Sequence, residues 1–155
     1  MNRNTRTKGF SYIEVTIVIA IAAIMLAIGI PFFLKGRANA KVRTSANEFK
    51  AALDLARSEA KSTGADITVE FIGSLTSSTG YNLKEASGRV LKTDSFTGSE
   101  FIDASGLTGT SPLKFSSNGT TSQEGSILVK SGNTDKYFSI TIVKTTGLVK
   151  IEEKN

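Results

Sequence analysis

Residues 8–36 read KGFSYIEVTIVIAIAAIMLAIGIPFFLKG, and this stretch decides the fold. From Val15 to Leu34 no side chain is charged and nearly all are apolar. A helix of about twenty such residues rises ~1.5 Å per residue and spans roughly 30 Å, the hydrocarbon thickness of a bilayer. A cleavable secretory signal has an apolar core of only about 7–15 residues, followed by a small-residue cleavage site. The run here is longer and no such site follows it, so it reads as a membrane-spanning helix. Two residues interrupt its uniformity: Glu14 stands at its mouth and Pro31 near its far end.

On the N-terminal side lies a short basic leader, residues 1–9, with Arg3, Arg6 and Lys8 and a terminal Gly9. On the other side, residues 35–63 carry seven basic and three acidic side chains. The basic flanks nearly balance, so the positive-inside rule does not choose an orientation. From Gly64 onward there are nine basic and ten acidic residues. The formal charge of +5 therefore belongs to the flanks of the apolar run. A near-neutral C-terminal portion argues against a broad nucleic-acid surface.

Residues 35–63 read as a second helical segment continuous with the first. Val42, Ala46, Phe49, Leu53, Ala56 and Ala60 recur at intervals of four and three, which places them on one face. Leu55 falls off that stripe, and Gly64 is placed to stop the helix. The stripe predicts a helix packed on its own domain. From Asp66 the texture changes to Ser, Thr and Gly between short runs of alternating apolar residues. Ile67, Val69 and Phe71 alternate with Thr68 and Glu70. Ser87-Gly88 separates two further runs as a hairpin candidate, and Asn118-Gly119 is a turn signal. Thr145-Thr146-Gly147 joins the last two runs as another hairpin. The expected fold class is α+β. A long N-terminal helix, half membrane-spanning and half amphipathic, packs on an antiparallel β-sheet or sandwich. The expected divisions are a leader (1–9), an apolar helix (10–34), an amphipathic helix (35–63) and a β domain (64–155).

The chain contains neither cysteine nor histidine. That removes disulfides, thiol catalysis, Cys/His zinc sites and every histidine-based triad or general base. Asp66, Asp94, Asp103 and Asp135 are isolated and build no calcium loop. The glycines have neither the Walker lysine spacing nor the Rossmann context. No enzyme, metal or cofactor is expected.

The informative chemistry is at the front. Ser11-Tyr12-Ile13-Glu14 fits the S-x-x-E capping box of a helix start, which accounts for part of Glu14. It does not account for a basic leader ending in glycine, then phenylalanine, then a glutamate four residues on, then a full span. This arrangement resembles the class III signal of type IV pilins and pseudopilins; Tyr12 and Val15 are mild departures from the usual GFTLIEL. The resemblance implies that a prepilin peptidase cuts after Gly9 and methylates the new terminal Phe10. It implies that Glu14 neutralises the terminal amine of a neighbouring subunit once apolar helices leave the bilayer and bundle into a filament. A buried ammonium or carboxylate would otherwise stay unpaired at high cost. It also implies a kinked or melted helix near Gly29 and Pro31, where proline removes the bond to Ala27.

The passage ANEFKAALDLARSEAKSTGADITVEF, with its A-R-x-E-A helix end, and the tail from Leu113 are similar to the minor pseudopilin H (GspH/FimT) family. The expected role is that of a minor structural subunit of a type II secretion pseudopilus, acting at filament initiation or the tip. The alternative is a minor type IV pilin in pilus assembly, motility or DNA uptake. Implied partners are the prepilin peptidase, other pilins or pseudopilins, an inner-membrane assembly platform and the bilayer. The implied location is the bacterial inner membrane, single-pass, with the C-terminal domain in the periplasm. Some FimT-like proteins carry a basic G-R-x-R motif in the last hairpin. Here Gly147-Leu148-Val149-Lys150 lacks both arginines, which argues against nucleic acid as a partner.

Overall fold

The computed structural model describes residues 10–154. The chain divides into two compact units, Met1–Gly36 and Arg37–Asn155. A single helix, α1 (Tyr12–Thr63), contributes to both.

In the first unit α1 begins after Ser11. The Ser11 carbonyl accepts the N–H of Glu14 at 3.0 Å and that of Val15 at 3.2 Å, which closes the first turn. Every residue from Phe10 to Gly36 is solvent-exposed. Thr16, polar within the apolar run, turns its hydroxyl onto the Ile13 carbonyl at 2.8 Å and so satisfies itself within the helix.

In the second unit α1 buries one face. The whole expected stripe (Val42, Ala46, Phe49, Leu53, Ala56 and Ala60) is inside, with Ser45 and Ala52 beside it, and Leu55 stays exposed. The helix ends where Gly64 adopts φ +70° and donates its N–H to the Ala60 carbonyl at 3.1 Å. A left-handed residue at that point closes an orphan carbonyl, and glycine takes the conformation without strain.

Against this face lies one eight-stranded antiparallel sheet, in place of the sandwich that was the other expectation. Its strands are β1 (Ile67–Ser74), β2 (Ser77–Glu85), β3 (Val90–Ser95), β4 (Glu100–Gly109), β5 (Leu113–Phe115), β6 (Gln123–Ser131), β7 (Tyr137–Val143) and β8 (Leu148–Lys154). The order is β5-β1-β2-β4-β6-β7-β8, with β3 also paired to β2. The β2–β4 junction is narrow, a single pair at Ser78 and Ile102. Alternate residues of successive strands face α1: Ile67 and Val69, Tyr81 and Leu83, Ile102 and Ala104, Ile127 and Val129, then Ile140 and Ile142. Because side chains alternate across a strand, a slip of one residue would turn this whole set to solvent.

The Ser87-Gly88 hairpin joins β2 to β3, and the Thr145–Gly147 turn joins β7 to β8. Asn118-Gly119 does form a turn, but a different one from the two-residue hairpin its spelling suggests. Gly119 alone has positive φ, at 83°, and its N–H reaches the Ser116 carbonyl at 2.8 Å. Asn118 instead uses its side-chain oxygen to accept the Thr120 N–H at 3.0 Å.

Candidate functional site

The N-terminal portion of α1 is the feature that demands explanation. Between Phe10 and Leu34 sixteen large apolar side chains are exposed; Phe10 and Phe32 are each 83% accessible. Burying a large apolar side chain is worth about 1.5–3 kcal/mol, so leaving all of them in water forgoes tens of kcal/mol. This segment is long and apolar enough to cross a membrane, and none of it is buried within the chain. Hydrocarbon or other helices must cover it.

The sequence-predicted residues fall along this surface. Gly9, the expected cleavage position, lies outside the described residues. Phe10 is the first described residue and is exposed. Glu14 lies in the first turn of α1 and is exposed. The expected capping box does not form; the first turn closes through the Ser11 backbone carbonyl instead. Among the described residues neither Ser11 nor Glu14 makes a side-chain hydrogen bond or ion pair. Among the described residues the carboxylate therefore has no partner, which leaves it available to a group from another molecule. It is also the sole charge between Phe10 and Leu34. Pro31 sits inside the helix, and helical structure continues through it. Gly29 has open space around it, so a neighbouring backbone could approach closely there. Phe10 stands just before the helix and Glu14 in its first turn, while Gly29 and Pro31 lie about four to five turns beyond Glu14 on the same helix.

The second unit offers no comparable reactive centre. Among the described residues no three Asp, Glu, His or Cys side chains converge as a metal site. Lys136 pairs with Glu153 at 2.6 Å and Lys154 with Glu152 at 3.3 Å. Two acids of β8 are thus each paired with a lysine at the open end of the last hairpin.

Two features escaped sequence reasoning. Glu100 is 3% exposed in its side chain, and Lys41 of α1 stands 3.1 Å from its Oε2. That contact is an ion pair off the axis of a hydrogen bond, since Oε2 has no donor of good geometry. The Lys41 ammonium also donates to the Thr97 carbonyl. A glutamate in an otherwise ordinary strand gave no signal of this. The second is Arg57, whose Nε is buried without a partner; its only signal was its place in A-R-x-E-A.

An exposed apolar helix with one carboxylate at its start, continuing as a helix packed on an antiparallel sheet, defines a pilin-like structural subunit. Residues 45–146 match the family described as type II transport protein GspH, and the chain belongs to that family. The minor pseudopilin EpsH from the type 2 secretion system of Vibrio cholerae has the same fold. Its likeness has a TM-score of 0.56 at 17% identity, covering 72% of this chain and 96% of that one. The type IV minor pilin FimU of Pseudomonas aeruginosa is similar with a TM-score of 0.54 at 25% identity, covering 71% of this chain and 91% of that one. No curated protein sequence matches the chain.

Proposed function

We propose that this chain is a minor pseudopilin, a non-enzymatic subunit of a type II secretion pseudopilus that acts at filament initiation or the tip. The observation that carries the reading is the uncovered apolar portion of α1, with Glu14 as its one charge, in front of a GspH-family domain. Before assembly, the bilayer covers residues 10–34, and the C-terminal domain lies on the periplasmic side of the inner membrane. Cleavage after Gly9 by the prepilin peptidase removes Arg3, Arg6 and Lys8, which could not enter an apolar core, and frees the amine of Phe10 for methylation. Glu14 then accepts the terminal amine of a neighbouring pilin or pseudopilin, and the pair fixes axial register. Gly29 and Pro31 supply the point at which the helix stretches as the assembly platform draws the subunit out of the membrane.

The likeness to FimU supports a second reading, a minor pilin of a type IV pilus. Deletion of the gene separates the two. Loss of exoprotein secretion with normal piliation and twitching supports the first reading, and the reverse supports the second. In either case Gly9→Ala should leave an unprocessed, larger chain in the inner membrane. A chain whose size and location ignore both Gly9→Ala and loss of the peptidase would exclude both readings in favour of a plain anchored β domain.

A further inference from the structure

The assembly role of the apolar segment makes no use of Arg57. This residue lies at the C-terminal end of α1, beneath two glycine turns of the sheet. Its Nε is buried and has no hydrogen-bond partner, and no ion pair engages its guanidinium among the described residues. A Cβ placed on Gly147 would lie 3.3 Å from that Nε, so the β7–β8 turn roofs the side chain. Lys61, one helical turn on, packs its aliphatic stem against Gly119, and no carboxylate pairs with it among the described residues. Asp54, Arg57, Ser58 and Lys61 line a recess of about 370 Å³. The one acid there, Asp54, is already held by Lys50 at 2.6 Å.

The recess thus presents two cations and a hydroxyl, and its one acid is engaged by a lysine that does not line it. A buried donor without a partner destabilises the isolated subunit, and the deficit is recovered when an acceptor enters. The planar guanidinium fork matches a carboxylate, and the lysine adds a second point charge. We propose that this recess is an intersubunit dock for the carboxylate of one Asp or Glu side chain on an adjacent subunit. The proposal rests on the filament role above. A single carboxylate suits the site better than a polyanion, because the repulsion from Asp54 on its wall grows with the charge of the ligand.

Carbodiimide coupling joins a lysine amine to a carboxylate in direct contact, so Lys61 is its own probe. The treatment is applied to membranes and sheared filaments from cells making the full chain with its native partner subunits. The expected product is an isopeptide bond between the Lys61 amine and an Asp or Glu carboxyl of another subunit, identified by mass spectrometry. Arg57→Gln should lower its yield by about tenfold or more, since truncating one partner of a desolvated charge pair is costly. Arg57→Lys should keep the product and add a second linkable amine. Links from Lys61 only to acids of its own chain, or an unchanged yield in Arg57→Gln, would overturn the dock. If Arg57→Gln does not accumulate, the wild-type and Arg57→Lys products decide. A photo-crosslinking residue at Ala23 in the same samples separates the two readings. Links at Ala23 without links at Lys61 reject the dock alone, and no intersubunit link at Ala23 rejects the filament role itself.

Discussion

The rings of Phe49 on α1 and Tyr81 on β2 meet at 4.9 Å between centroids, tilted by 55°, and both side chains are fully buried. Phe71 and Phe96 extend the contact on either side, so one aromatic cluster joins the helix to β1, β2 and the residue that follows β3. The Tyr81 hydroxyl donates to Asp94 at 3.1 Å; burial, then the Asp94 charge, push the phenol above its ordinary range. Tilted ring pairs add to area burial, and a phenylalanine removed from such a site leaves a cavity. Phe49→Ala should therefore lower the unfolding free energy of the second unit by about 3–5 kcal/mol. Urea titration of the chain in mild detergent, followed by tyrosine fluorescence, measures this. A loss below about 1 kcal/mol would mean that the cluster does not anchor the helix.

Lys41 and Glu100 make a second attachment between α1 and the sheet. Glu100 occupies an inward position on β4 in register with Ile102 and Ala104, so its charge is desolvated while half of Lys41 remains in water. Removing the lysine strands a buried carboxylate, whereas replacing both charges with apolar groups leaves nothing unpaired. Lys41→Met should destabilise the unit by about 1–3 kcal/mol, discounted for the exposure of the lysine. The double variant Lys41→Met with Glu100→Met should recover most of that loss. A double-mutant cycle in denaturant reads the coupling, and additive losses would show that the pair does not interact.

The same strand shows where sequence reading reaches its limit. The helix stripe from Val42 to Ala60 was legible because one residue in three or four was apolar against a charged background. The hairpins β2–β3 and β7–β8 were legible from glycine punctuation. β4 was not legible, because its inward set is Glu100, Ile102 and Ala104. A buried acid and a small alanine hide the alternation. Gly106 is needed for packing, since a Cβ there would lie 2.5 Å from the Ser126 carbonyl. Glu14, by contrast, stood out as a charge against twenty apolar residues. That its side chain finds no partner among the described residues is a fact of three dimensions that no spacing encodes.

Asp103 on the outer face of β4 gives the domain an acid limit. Burial alone would raise its pKa. Hydrogen bonds from Ser105, and from Lys130 at 2.9 Å, outweigh burial and hold the carboxyl below the ordinary aspartate value of 3.8. A depressed carboxylate contributes stability that is complete above the unfolded value and lost as pH falls through the folded one. Stability should therefore decline as pH drops from about 4 downward. Asp103→Asn should flatten that part of the pH profile while lowering stability at pH 7. Thermal melts of both proteins between pH 2 and pH 7 test this, and parallel profiles would remove Asp103 as the source.

Among the described residues the Glu14 side chain has no hydrogen-bond or ion-pair partner, so its substitution separates assembly from folding. Glu14→Gln keeps the size of the side chain and removes only the charge. Thermal stability of the second unit should not change, because residue 14 belongs to the first unit. Insertion and processing at Gly9–Phe10 should persist, because the apolar run is intact. In a filament core, however, the amine of a neighbour would face a neutral amide. Breaking a buried ion pair from one side costs about 3–5 kcal/mol, so incorporation should fall on the order of a hundredfold or more. Glu14→Asp should lie between, with the charge kept but the reach shortened by one methylene. Fractionation of cells into membrane and sheared-filament pools, followed by immunoblotting, reads the ratio directly. If Glu14→Gln enters filaments at the wild-type level, charge neutralisation is not what the carboxylate supplies.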